Sequence, residues 1–237
     1  MSDGNGALAG SVTLVVPCAG RGARFGAPYP KELHRTGPRG SVVDRALAPF
    51  LDWARRSEVR PRLVVPIAAD RAATVAHLHR YTDVADFAFT FQAPRHGAGL
   101  AGAIRAGLDL AAGLTLLVLP DQYFGWDGKA NPVDALARRG TDGVAVLAAR
   151  LPRERLGDEG ALAVEGVGSR RPTVARAKEK PADPTGYNAA WVAVAVPPAR
   201  YGALVDLAEG RDPSPLLGAP VEWVEDYVNA TSPGDVG

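Results

Sequence analysis

Short apolar runs alternate with longer amphipathic segments along most of this 237-residue chain. Thr13-Leu14-Val15-Val16 is a β-branched, uniformly apolar run of the kind a strand buried on both faces requires, and it breaks at Pro17. Residues 41–57 (SVVDRALAPFLDWARRS) put Val43, Leu47, Phe50, Leu51 and Ala54 near one helical face, with Arg55 and Arg56 at the end where the helix dipole favours cations. Residues 62–67 read as a second strand and 69–80 as a second helix. The alternation in Phe87-Ala88-Phe89-Thr90-Phe91 predicts a third strand. Residues 99–112 form a helix of small residues able to pack close to a sheet, and Leu114 to Leu119 (LTLLVL) are the clearest central strand, closing on Pro120-Asp121. Farther along, residues 143–150, 162–165, 174–178 and 187–196 read as strands, 200–209 as a short helix and 221–229 as a final extended segment. Such alternation predicts an α/β fold, a Rossmann-like open and mostly parallel sheet flanked by helices. The Pro, Gly and Arg content between 152 and 186 predicts loops and a small, less regular lobe. No repeat is present, and no linker is long enough to separate independent domains.

Composition narrows the classes. With 46% hydrophobic and 22% charged residues, the chain suffices for one substantial core, or one core plus a small lobe. A formal net charge of +1 with scattered arginines gives no electrostatic argument for nucleic acid or an anionic membrane surface. The single cysteine, Cys18, excludes an intramolecular disulfide and fits a reducing cytoplasm. Residues 1–10 lack the basic start and apolar core of a signal peptide, and no run approaches a membrane span, so the expectation is a soluble cytoplasmic protein.

Chemistry concentrates first in the segment that follows the opening strand, Cys18-Ala19-Gly20-Arg21-Gly22-Ala23-Arg24-Phe25-Gly26, with Pro30-Lys31 close behind. Glycine lets the backbone approach a ligand and aim N–H groups at phosphate oxygens. Arg21, Arg24 and Lys31 supply countercharge, the guanidinium fork suiting paired phosphate oxygens and the ammonium acting as a point charge. The segment is neither of two familiar phosphate loops. It lacks the Gly-Lys-Ser/Thr ending of the P-loop, and the dinucleotide fingerprint fails because Phe25 stands where glycine is needed. A glycine-rich surface turn with incidental arginines is the plain alternative.

Two further groups fall where an open α/β sheet places its ligands, beyond the carboxyl ends of strands. A carboxylate at Asp121 beside phosphates is explained by a bridging divalent cation, since Mg²⁺ takes one or two carboxylates plus phosphate oxygens. Turn formation or helix capping is its ordinary alternative. Glu179-Lys180-Pro181 offers a carboxylate for hydroxyls beside a cation for a second phosphate, or else a solvated charge cluster with Arg176 and Lys178.

These landmarks, with Gln92-Ala-Pro-Arg-His-Gly97-Ala-Gly99-Leu-Ala and Val228-Asn229-Ala-Thr-Ser-Pro-Gly-Asp235, occur in the order found in nucleotidyltransferases of the sugar-nucleotide pyrophosphorylase type, which the chain resembles over nearly its whole length. Members join a nucleoside triphosphate to a sugar 1-phosphate and release pyrophosphate. The resemblance implies one nucleotidyltransferase domain over residues 1–237, with a nucleotide-binding part at 11–125 and an acceptor-binding part at 126–237. Ala19, Gly20, Gly22, Arg24 and Lys31 would hold the triphosphate, Arg24 on the departing pyrophosphate and Lys31 near the α-phosphate. Gln92 and Gly97 would contact the base. Asp121 would ligate Mg²⁺, and Asn229 stands where a second metal-binding aspartate is common. Glu179 would meet sugar hydroxyls and Lys180 the incoming phosphate. The implied partners are a nucleoside triphosphate and a phosphorylated small molecule, with no nucleic acid and no membrane, and a homo-oligomer stays open.

Departures keep other readings alive. Ala23 replaces the usual threonine, and Asn229 is neutral where a carboxylate is common. The reach from Arg24 to Lys31 is short and similar to that of the cytidylyltransferases acting on methylerythritol phosphate. The alternatives are therefore a cytidylyltransferase for a non-sugar phosphate or phosphonate, and a non-catalytic nucleotide-binding regulatory module. No nucleophilic triad is needed, so His34, His77, His79 and His96 read as surface or structural and Cys18 as a packed thiol. Trp126, Trp191 and Trp223 are candidates for an acceptor pocket whose ordinary role is core.

Overall fold

The structure is a computed structural model that describes residues 10–20, 25–125 and 130–236. In chain order it runs β1 (Val12–Val15), α1 (Val42–Arg56), β2 (Arg62–Ile67), α2 (Ala72–Leu78), β3 (Asp86–Phe91), α3 (Gly99–Leu108), β4 (Leu114–Val118) and β5 (Gln122–Gly125). It continues through α4 (Pro132–Gly140), β6 (Ala145–Arg150), α5 (Arg153–Leu156), β7 (Gly160–Glu165), β8 (Thr173–Glu179), β9 (Ala189–Val196), α6 (Tyr201–Glu209) and β10 (Val221–Asn229).

The main sheet has the order β3-β2-β1-β4-β9-β6-β10-β5, with β7 joined to β9 and β8 joined to β7. β3, β2, β1 and β4 are parallel neighbours, and β6 and β10 run the same way beyond the antiparallel β9. Of the eight strands, β9 and β5 alone oppose the rest, so the sheet is open and mostly parallel in direction.

Helices cover both faces, and the strands show it in their composition. On β1, Leu14 packs with Phe50, Trp53, Val133 and Leu136 of α1 and α4, while Val15 turns to Ile104 and Leu204 of α3 and α6. β4 repeats the split, with Leu116 on the first side and Leu117 on the second. A strand buried on both faces has no room for polar alternation, which is why its sequence is a continuous apolar run. Two elements without an apolar run in the sequence reading, β5 and α4, complete the sheet edge and its cover. α4 starts at Asn131, whose side chain accepts from the Val133 N–H, with Pro132 in the first turn, an Asn-Pro start signal that the sequence carried. Residues 160–179 form the β7–β8 hairpin. No helix among the described residues is long and apolar enough to cross a membrane.

α1 is fastened to α2 by a polar cluster. Ser41 caps α1 and closes a capping box with Asp44. The Asp44 carboxylate also accepts from the Tyr81 hydroxyl at 2.6 Å and contacts His77 Nε2 at 2.7 Å. Burial alone would raise the Asp44 pKa, but hydrogen bonds from the Ser41 N–H, Tyr81 and His77 outweigh it and bring it down to about 2. A depressed carboxylate stabilises the fold above its unfolded value of about 4, and that stabilisation is lost as pH falls towards 2. The shift is worth about 2 kcal/mol. Denaturant titrations between pH 6 and pH 2.5 are expected to show this loss in the wild-type protein and not in Asp44→Asn, which should be less stable at pH 6. Equal pH slopes for the two proteins would refute the assignment.

Candidate functional site

A cleft of about 930 Å³ opens along the carboxyl ends of the parallel strands. One end is formed by Pro17, Cys18, Ala19 and Gly20 after β1, together with Lys31. Asp121, two residues beyond the Leu119 end of the β4 run, stands at the middle, and Gln92 follows β3. The far end takes Glu159, Gly160, Glu179, Lys180, Trp191 and Asn229.

Residues as far apart in the chain as Pro17 and Asn229 thus meet because most of them lie at or next to strand ends. Arg21, Gly22, Ala23 and Arg24 lie outside the described residues. Gly97 does not line the cleft, but its carbonyl accepts from Gln92 Nε2 at 2.7 Å, and the Gly99 carbonyl accepts from the same nitrogen at 3.2 Å. This link requires Gly102 on α3, where a Cβ would collide with the Gly97 carbonyl and with Gln92 Nε2. His96 is buried, with its Nδ1 accepting from the Ala93 N–H at 3.0 Å and its Nε2 against Asp109 at 2.9 Å, a structural role. Trp191 lines the cleft, Trp223 packs under Arg150, and Trp126 lies outside the described residues.

At the centre, Lys31 Nζ donates to Asp121 Oδ2. Lys31 opens a 3₁₀ turn, Lys31–Leu33, after Pro30. The next residue, Glu32, turns inward and is 2% exposed. Its carboxylate accepts from the Thr74 hydroxyl at 2.7 Å and lies 3.8 Å from Arg71 Nε. Burial raises the Glu32 pKa, against the opposing pull of Thr74, Arg71 and Lys31. Arg71 is itself 5% exposed. Its guanidinium donates to the carbonyls of Cys18, at 3.3 Å, and of Gly20. One buried cation therefore binds the carbonyls of the glycine-rich segment and the residue next to Lys31. Holding carbonyl oxygens on the Arg71 side favours an anion on the other, since oxygen lone pairs repel phosphate. Nothing in the sequence pairs Arg71 with residues some 50 positions earlier, so neither Arg71 nor Glu32 was legible there.

The far end is built by two strand pairings. Gly160 faces Glu179 across the β7–β8 hairpin, and Asn229 faces Gln122 where β10 meets β5. Lys180 takes φ 44°, a left-handed backbone that costs a non-glycine residue about 1 kcal/mol or more. Its N–H donates to the Glu159 carbonyl at 3.0 Å, which holds the turn. Glu159 was not among the residues read from the sequence. It is 5% exposed, and its Oε2 accepts from the Tyr227 hydroxyl at 2.9 Å and from Asn229 Nδ2 at 3.0 Å. Burial raises the pKa of both Glu159 and Glu179. Cys18 is buried, and burial followed by the charges of Glu32 and Asp121 raises its thiol pKa, so it packs and does not attack.

The oxygen donors suit a divalent cation that arrives with phosphates. Asn229 spends its amide nitrogen on Glu159, leaving its oxygen for a ligand, and the Ala230 N–H donates to the Asp121 carbonyl at 2.8 Å, which sets the two residues side by side. Among the described residues, no three His, Cys, Asp or Glu side chains gather closely enough to cage a metal by themselves. One carboxylate and one amide oxygen fit Mg²⁺ that draws most of its ligands from phosphate and water.

An open sheet of this strand order, with a cleft along its carboxyl ends, is the fold of the sugar-nucleotide pyrophosphorylase type of nucleotidyltransferase. The chain is similar to UDP-glucose pyrophosphorylase solved with UDP-glucose, at a TM-score of 0.74 and 12% identity, covering 95% of this chain and 96% of that one. It is similar also to UDP-glucose pyrophosphorylase from Acinetobacter baumannii, at a TM-score of 0.73, 13% identity and coverage of 95% and 90%. A protein assigned as glucose-1-phosphate thymidylyltransferase in Bacillus anthracis matches at a TM-score of 0.71, 13% identity and coverage of 95% and 92%. No family model and no curated protein matches the sequence.

Proposed function

We propose that this protein is a nucleotidyltransferase that couples a nucleoside triphosphate to a phosphorylated small molecule, of the sugar 1-phosphate class, and releases pyrophosphate. The observation that carries the reading is the Lys31–Asp121 pair at the centre of a cleft with a second cation, Lys180, at its far end. Residues 11–125 serve the nucleotide and 126–237 the acceptor. Gly20 and Ala19 offer backbone to the triphosphate, with Gly22 and Arg24 following in the same segment, and Gln92 meets the base.

The chemistry asks little of acid or base groups. A phosphate monoester oxygen of the acceptor is already anionic near neutral pH, so it attacks the α-phosphorus without giving up a proton. The new P–O bond forms as the bond to the β-phosphate breaks, and the electron pair leaves with pyrophosphate. Catalysis then rests on positioning and on charge. Lys180 holds the attacking phosphate, and Lys31, turning from Asp121 to the α-phosphate, stabilises the charge that builds there. Asp121 and the Asn229 oxygen would hold Mg²⁺, which supplies Lewis-acid stabilisation of the phosphate oxygens when bound. The triphosphate thus breaks an ion pair and restores both partners' countercharges.

A panel of the common triphosphates crossed with sugar 1-phosphates, polyol phosphates and phosphonates, read by Mg²⁺-dependent pyrophosphate release, tests this. Turnover of a sugar 1-phosphate supports the leading reading. Turnover confined to CTP with a polyol phosphate or phosphonate would establish the cytidylyltransferase reading, which the short reach from Arg24 to Lys31 favours. Tight triphosphate binding without pyrophosphate release across the panel would leave a binding module.

A further inference from the structure

The far end of the cleft is more acidic than a phosphorylated acceptor by itself requires. Among the described residues, seven acidic residues line the cleft, Asp121, Glu159 and Glu179 among them, against three cations, Lys31, Arg155 and Lys180. Asp121 is paired with Lys31, but among the described residues Glu179 has only Lys180 at 4.0 Å, a side chain half exposed and suited to a phosphate. Glu159 spends one oxygen on Tyr227 and Asn229, and its other oxygen has no protein partner among the described residues.

Among the described residues, buried polar atoms beside these carboxylates also lack partners. Gln122 is 9% exposed and its Oε1 is unpaired, and Glu179 Oε2 is unpaired as well. Trp191, 3% exposed, sets its indole nitrogen beside Glu179 without reaching hydrogen-bond geometry, in a space that exists because residue 160 is glycine. Among the described residues, two buried acceptors, Gln122 Oε1 and Glu179 Oε2, are unmet at this end of the cleft, with the unmet indole donor of Trp191 beside the second. Among the described residues, no three His, Cys, Asp or Glu side chains gather here to hold a metal ion. A hydroxyl donates a single hydrogen bond and leaves the charge uncompensated. An ammonium donates three and carries the missing positive charge.

We propose that the acceptor is a phosphorylated compound bearing a protonated amine, its ammonium held between Glu159 and Glu179 and its phosphate by Lys180. The acceptor is then zwitterionic, an amino sugar phosphate or an amino alcohol phosphate. The inference rests on the nucleotidyltransferase reading for its phosphate and triphosphate, and adds the amine.

Calorimetric titration of the full chain with matched acceptors tests it, with Mg²⁺ and saturating α,β-methylene analogues of the common triphosphates present. The pairs are glucosamine 1-phosphate against glucose 1-phosphate, and ethanolamine phosphate against ethylene glycol phosphate, so that the sugar and alcohol sources are read separately. The amine of at least one pair is expected to bind at least tenfold tighter than its hydroxyl partner. Glu159→Gln and Glu179→Gln should each reduce that preference at least threefold. Hydroxyl compounds that bind as tightly, no binding by any of the four, or a preference that survives in both variants would overturn it. The wild-type comparison decides even where a variant fails to fold. Because binding is read without turnover, amine preference with no pyrophosphate release from natural triphosphates keeps this inference and sinks nucleotidyl transfer. Turnover of hydroxyl acceptors without amine preference does the reverse.

Discussion

Asp121→Asn is expected to lower Mg²⁺-dependent pyrophosphate release at least 100-fold while leaving the melting temperature close to that of the wild-type protein. Removing a single group that stabilises transition-state charge typically costs a factor of about 10²–10³. The fold should tolerate the change because Asp121 lies in the cleft and its carbonyl, not its carboxylate, makes the bond to Ala230. A second consequence distinguishes a metal-linked carboxylate from an ordinary acid. The variant frees Lys31 from its ion pair, so triphosphate binding measured without Mg²⁺ should hold or tighten while the gain from adding Mg²⁺ shrinks. Turnover unchanged by the substitution would remove Asp121 from the mechanism.

Arg71→Ala is expected to have the largest effect on stability of any substitution near the site. It leaves Glu32 buried without its cation and strips the Cys18 and Gly20 carbonyls of their donor. Breaking a buried pair in this way costs about 3–5 kcal/mol, which for a chain of this size corresponds to a fall in Tm of roughly 6–20 °C. Positioning is separable from stability. Adding Glu32→Gln to Arg71→Ala removes the stranded charge and should recover part of the lost Tm. It should not recover triphosphate affinity, which we expect to stay about tenfold weaker with the acceptor KM unchanged. Arg71→Lys keeps the charge but not the fork that spans two carbonyls, so it should fold and show the same selective loss. Full recovery of triphosphate affinity in the double variant would reduce Arg71 to a purely structural role.

How much of this was legible in the sequence follows from which forces act locally. The β1 and β4 runs and the amphipathic α1 declared themselves because burial on both faces of a sheet, or on one face of a helix, imposes a residue pattern within a few positions. Asp121, Glu179 and Lys180 stood out because each lies at or just past a strand end, where an open sheet exposes side chains to one cleft, and Lys31 because it closes the glycine-rich segment after β1, whereas Gln92 and Asn229 came from the family resemblance alone. β5 escaped notice because four residues hold too little pattern, and α4 because its signal was a cap and not an apolar run.

The sequence by itself determined the layered α/β architecture, since periodicity and strand-ending motifs are local properties of the chain. Tertiary structure alone decided what surrounds each candidate. Arg71 reaches the glycine-rich segment, Glu32 turns inward, and Glu159 holds Asn229 and faces Glu179, because strand order and the β7–β8 and β10–β5 pairings bring distant positions together. A buried charge is placed by the partners it meets in space, and those partners leave no trace in the spacing of residues along the chain.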